Sequence, residues 1–189
     1  MEERFVSESN KSAFFEWVKA GILAIILFFF IHTFLFSDYG VKGISMRPTL
    51  EDGDRLIVNQ IGYEFGDISR FDVIIFHAGG DEDYVKRVIG LPGDTIQYKD
   101  DRLFINGEIC PEPYVHHEEQ HLPGLKETGD FTLSELTGVE KVPADSLFVM
   151  GDNRLNSLDS RHFGFVSIDD VVGKVSVRYW PLEKFDIKF

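Results

Sequence analysis

Phe71-Asp72-Val73-Ile74-Ile75-Phe76 and, eight residues on, Tyr84-Val85-Lys86-Arg87-Val88-Ile89-Gly90 carry the clearest structural signal in the chain. Both are short runs rich in β-branched and aromatic residues, bounded by turn-formers, as strands are. Gly79-Gly80-Asp81-Glu82-Asp83 is a polar turn between them. Strands continue on either side. Upstream is Arg55-Leu56-Ile57-Val58; downstream, Leu91-Pro92-Gly93-Asp94 breaks the second run before Thr95-Ile96-Gln97-Tyr98 resumes. Asn106-Gly107 within Leu103–Ile109 is the signature of a tight hairpin. Ser146–Met150 and Val171–Trp180 supply closing strands. Residues 111–143 are polar and proline-bearing, and are expected to form an excursion from the sheet rather than a second core. The expected fold class is mainly β, an antiparallel domain.

Ahead of it, Trp17–Phe36 is twenty residues long with one charge, Lys19. As a helix it measures about 30 Å, the thickness of a hydrocarbon core. Trp17 suits the interface and Lys19 can snorkel. The run is too long for a typical signal-peptide core, and Phe34-Leu35-Phe36-Ser37-Asp38 has no small-x-small cleavage site. The expected organisation is a short N-terminus at 1–16, a transmembrane anchor at 17–36 and the β domain at 37–189. Lys11 and Lys19 on one side balance Lys42 and Arg47 on the other, so charge alone does not orient the anchor.

The net charge of −13 argues against nucleic acid as a partner. Nearly all of it lies beyond Phe36, because Arg4, Lys11 and Lys19 offset most of Glu2, Glu3, Glu8 and Glu16. Cys110 is the sole cysteine, which excludes an intrachain disulfide; it is read as a small buried hydrophobe.

Two residues suggest chemistry. Ser45, in Gly43-Ile44-Ser45-Met46-Arg47-Pro48-Thr49, follows Phe36 by nine residues, at most roughly 30 Å of extended chain. It therefore acts close to whatever Phe36 is embedded in. A serine needs a base, and a lysine serves when burial keeps it neutral. Lys86 and Arg87 lie on opposite faces of their strand, and alternation alone does not say which points inward. Gly43 is expected to permit close backbone approach, and Pro48 to stiffen the turn. A third segment, Gly151-Asp152-Asn153-Arg154-Leu155-Asn156-Ser157-Leu158-Asp159-Ser160-Arg161, follows an apolar strand. It reads either as a solvated loop or as a hydrogen-bonded buttress at a strand end.

Together, Ser45–Thr49, Phe71–Phe76, Tyr84–Asp94 and Gly151–Arg161 resemble, in order and spacing, the type I signal peptidases, the membrane-bound Ser-Lys enzymes of peptidase family S26. The short chain resembles the Gram-positive branch. The resemblance implies Ser45 as nucleophile and Lys86 as general base acting through an acyl-enzyme. It further implies that Ser157 orients the lysine amine and that Asp159 and Arg161 form a supporting ion pair. Tyr39, Val41, Met46, Leu56, Ile75 and Val85 map onto the substrate pockets, with Ile75 the one whose role overlaps most with ordinary core packing. The implied substrates are preproteins arriving from the export machinery, cut after Ala-x-Ala-like sites. The implied location is a single-pass cell-membrane protein with its N-terminus cytoplasmic and its catalytic domain outside.

Two departures stand out. Gly43 occupies a position where some members carry a serine that donates to the oxyanion, and Leu155 one that is often polar. No cofactor or metal is implied; His116, His117 and His121 with Glu118 and Glu119 lack recognisable ligand spacing. The rival readings are a membrane-anchored binding module on the same fold, a self-cleaving Ser-Lys domain, and a non-enzymatic envelope protein whose Ser45 is a turn residue.

Overall fold

The computed structural model describes residues 15–28, 36–60, 68–80, 82–115, 126–187 and 189. Its contacts divide the chain into two units, Met1–Ser37 and Asp38–Phe189. In the first, residues 15–28 are helical and their side chains exposed, Trp17, Leu23 and Ile26 among them. No helix among the described residues is long and apolar enough to cross a membrane. Residues 29–35 of the expected anchor lie outside the described residues.

The second unit is built from short strands: β1 (Phe36–Gly40), β2 (Arg55–Asn59), β3 (Val73–His77), β4 (Asp83–Gly90), β5 (Ile96–Lys99), β6 (Arg102–Ile105), β7 (Glu108–Cys110), β8 (Phe131–Thr132), β9 (Ser146–Met150), β10 (Val166–Ser167) and β11 (Val171–Trp180). Seven make one sheet in the order β1-β2-β11-β3-β4-β9-β10, and four make another in the order β7-β6-β5-β8. The pairings from β2 onward are antiparallel.

β3 is the pivot of the larger sheet. Val73 to Phe76 are all buried, because the strand lies between β11 and β4 and is covered on both faces. Val73 and Ile75 enter one apolar cluster, Ile74 and Phe76 another, the two-residue alternation of a pleated strand. β11, expected only to close the sheet, runs through its middle between β2 and β3.

The second sheet begins with the expected hairpin. Asn106 and Gly107 both take positive φ, 54° and 83°, which suits the right-handed twist of the flanking strands. The 111–143 excursion is corrected in part. Residues 116–125 lie outside the described residues, but part of 126–142 joins the second sheet and its core. Phe131–Thr132 pairs with β5, and Leu133–Thr137 is a short helix whose Thr132 and Glu135 form a capping box. Phe131, Leu133 and Val142 join the core of this sheet, against which Cys110 is partly buried. Their apolar side chains are spaced among polar ones, so no periodic run advertises them.

Candidate active site

After β1 the chain turns back on itself. Val41 N–H donates to the Asp54 carbonyl, Gly53 N–H to Val41, and Leu50 N–H to Met46. Met46 and Leu50 are buried and fasten this turn to the core, leaving Ser45, just ahead of Met46, half-exposed. A Cβ at Gly43 would meet nothing within 4 Å, so close approach is not why glycine stands there. The reason is its φ of 90°, which side chains disfavour. Its N–H donates to the Asp52 carboxylate at 2.7 Å.

Lys86 comes from the middle of β4, paired with Ile74 of β3. Its Nζ lies 2.8 Å from Ser45 Oγ and 3.1 Å from the Val85 carbonyl. The residue is 4% exposed. Burial pushes its pKa down to about 8, opposed by the Asp159 and Asp152 carboxylates, which favour the ammonium. Arg87 is equally buried, so both basic residues point into protein, not one. What admits the second is a dedicated partner. Arg87 Nε and Nη2 donate to the two oxygens of Asp152 at 2.9 and 2.7 Å, and Nη1 donates to the Phe71 carbonyl. This forked geometry satisfies a buried pair that would otherwise be costly. Thr49 Oγ1 donates to the same carboxylate at 2.5 Å.

The segment after β9 is a buttress, not a solvated loop. Asn153 N–H donates to the Ser45 carbonyl at 3.0 Å, and its side-chain amide to the Ile44 carbonyl at 3.2 Å. Asp159 is fully buried. It accepts from Gly151 N–H and from Arg161 Nε and Nη2. Burial raises its pKa, but the hydrogen bond and charge of Arg161 outweigh that and hold it below the ordinary carboxylate value. Ser157 contributes weakly to that lowering, though its contact lacks hydrogen-bonding geometry. Its Oγ is the one buried side-chain polar atom without a partner among the described residues. Gly151 is where close approach does demand glycine. A Cβ there would lie 2.3 Å from Ser157 Oγ and 2.5 Å from the Ser45 carbonyl oxygen.

Ser45 and Lys86 face a cleft of about 560 Å³ whose walls include Tyr39, Val41, Met46, Leu56, Ile75 and Val85. Leu56 and Ile75 are also fully buried core residues. Sequence reasoning missed the partners that fix the loop: Arg87, Asp152 and Thr49, and beyond them Arg154. Arg154 is buried on Glu112 at 2.6 Å, with Tyr98 Oη accepting from its Nη1. No group of three His, Cys, Asp or Glu residues among those described is arranged to hold a metal ion. The His116–His121 cluster lies outside the described residues.

A profile described as "Signal peptidase, peptidase S26" matches residues 14–180. The chain belongs to the signal peptidase family, peptidase S26. It is 57% identical over 159 residues to the signal peptidase I of Bacillus caldolyticus, covering 84% of this chain and 87% of that one. It is 42% identical over 183 residues to the signal peptidase IB of Staphylococcus aureus, covering 95% and 96%. The crystal structure of a signal peptidase I from Enterococcus faecalis superposes with a TM-score of 0.55 at 42% identity, covering 57% of this chain and 96% of that one. The antiparallel β unit is thus the signal peptidase fold, and the chain is a serine peptidase that removes signal peptides from preproteins.

Proposed function

We propose that Ser45 and Lys86 are the catalytic dyad of this peptidase, and the observation that carries this is the 2.8 Å contact between Oγ and a buried Nζ. Neutral Lys86 takes the Ser45 proton as Oγ adds to the scissile carbonyl. The tetrahedral intermediate collapses to an ester on Ser45, and the nitrogen of the mature protein leaves with the proton returned by Lys86. Lys86 then deprotonates a water that hydrolyses the ester, freeing the signal peptide and regenerating Ser45. The Ser45 N–H donates to no group among the described residues, which leaves it for the oxyanion. The Gly43 N–H is occupied by Asp52. Ser157, with its free hydroxyl beside Gly151, steers the Lys86 amine; Asp159 and Arg161 hold the loop that carries it.

The apolar cleft accounts for a preference for small side chains such as alanine at the first and third positions before the cut. Val41, Met46, Leu56, Ile75 and Val85 supply apolar walls that suit such side chains.

A membrane setting, with the helical segment as a single-pass anchor and the catalytic unit outside the cytoplasm, fits the twenty-residue apolar run to Phe36. Preproteins reach such a site from the export machinery. Support also comes from the C-terminal tail. Tyr179 Oη donates to Asp38, two residues past Phe36, at 2.9 Å. The adjoining Trp180, Leu182, Phe185 and Ile187 are exposed on a segment held by paired Arg178–Asp186 backbone bonds. Exposed apolar side chains of this kind suit a bilayer interface.

The test is cleavage of a secretory preprotein bearing an Ala-x-Ala site by native chain, Ser45→Ala and Lys86→Ala. Native cleavage with a loss of several orders of magnitude in both variants supports the dyad. A fully active Lys86→Ala removes it.

A further inference from the structure

Ser45 stands at the border of two clefts. The second, about 550 Å³, is lined by Ile44, Arg47, Glu51, Glu127, Asn153 and Leu155, among others, and shares Ile44 and Asn156 with the first. The turn carrying Ser45 forms the wall between them: Ser45 and Met46 line the first cleft, Arg47 and Pro48 the second. That wall is held in place by Asn153, whose N–H and side-chain amide bond the Ser45 and Ile44 carbonyls, and by Asn156 Nδ2 donating to Asn153 Oδ1. A peptide whose signal portion fills the first cleft and whose scissile carbonyl meets Ser45 must continue past this wall.

We infer that the second cleft receives the first residues of the mature protein, with Ile44 and Leu155 gripping an apolar side chain among them. This rests on the dyad reading and extends it to the other side of the cut. A cleft of about 550 Å³ is some 8 Å across if equidimensional, room for about two or three extended residues at ~3.4 Å each. Its chemistry is selective. Asp152 is neutralised by Arg87, and Arg154 by Glu112, which leaves a polar floor. Beside Pro48, Ile44 and Leu155 are 41% and 53% exposed, two large apolar side chains in a cleft otherwise lined by polar and charged residues. Glu51 in the lining is paired with Lys184 at 2.7 Å, so the exposed apolar pair sets the preference.

The test uses full-length chain in detergent micelles and a series of preproteins identical through the Ala-x-Ala site, with Leu, Ser or Asp at the second mature position. The native chain is expected to prefer Leu over Asp by roughly tenfold in kcat/KM, the discrimination a partly enclosed apolar contact provides. Leu155→Asn and Ile44→Ser should each narrow that ratio to within about threefold. Leu136→Ser, an exposed substitution outside both clefts, should keep it. Brisk cleavage with equal rates across the series, or a Leu preference that survives both cleft variants, overturns the inference while the dyad stands. No cleavage of any substrate by native chain overturns the dyad reading and this inference with it.

Discussion

Replacing Lys86 with methionine should make the protein more stable at neutral pH and less stable at high pH. The ammonium's pKa is lowered from 10.5 to about 8 by burial. At ~1.4 kcal/mol per pH unit, forcing the charge onto the folded state at pH 7 therefore costs about 3 kcal/mol. The folded protein holds fewer protons than the unfolded chain between about 8 and 10.5, so its stability rises with pH across that window. Below it the full cost is present, and above it the lysine is neutral in both states. Methionine is of similar length and removes the cost, but it also removes the contacts to Ser45 Oγ and the Val85 carbonyl. Those contribute roughly 1–2 kcal/mol together. Lys86→Met is then expected to be about 1–2 kcal/mol more stable than native at pH 7 and to be less stable by a similar amount at pH 11. The change between the two pH values is fixed by the pKa, whatever the contacts contribute. Urea unfolding of both full-length proteins in the same micelles, followed by tryptophan fluorescence, measures it. An identical stability difference at pH 7 and pH 11 would refute a lysine whose charge is disfavoured by burial.

The same titration governs rate. For native chain, kcat/KM should fall about tenfold per pH unit below about 8 and level off above it, as the fraction of neutral Lys86 dictates. Asp159, held below its ordinary value, adds no limb between pH 5 and 7. Gly151→Ala should cost roughly 10²-fold in kcat, because its Cβ would lie 2.5 Å from the Ser45 carbonyl oxygen, and displacing the proposed nucleophile misaligns attack. Circular dichroism and unfolding curves for this variant separate displacement from failure to fold.

Much of the fold is legible because its strands are continuous β-branched runs. Val73–Phe76 is covered on both faces and reads as an unbroken apolar stretch, and Asn106-Gly107 announces its hairpin. The 126–142 segment is hidden because Phe131, Leu133 and Val142 are separated by polar residues and packed by a sheet formed earlier in the chain. In the site, type, setting and family resemblance single out Ser45 and Lys86; alternation along β4 does not distinguish Lys86 from Arg87. The structure shows why that test fails. Both are buried, since Asp152, sixty-five residues from Arg87, neutralises the second charge. Arg154 and Glu112 are likewise forty-two residues apart, and nothing local marks either as a partner. Long-range ion pairs of this kind form only once the sheet has set the register, so they escape a reading that works through neighbours.

The most direct measurement is the covalent intermediate itself. An Ala-x-Ala preprotein is mixed with native chain, quenched in acid during turnover, and digested for mass spectrometry. The account predicts a signal-peptide ester on the fragment containing Ser45, absent from Ser45→Ala and strongly reduced in Lys86→Ala. An ester mapped to any other residue, or turnover by the native chain without one when the quench is fast enough to capture it, would contradict the account.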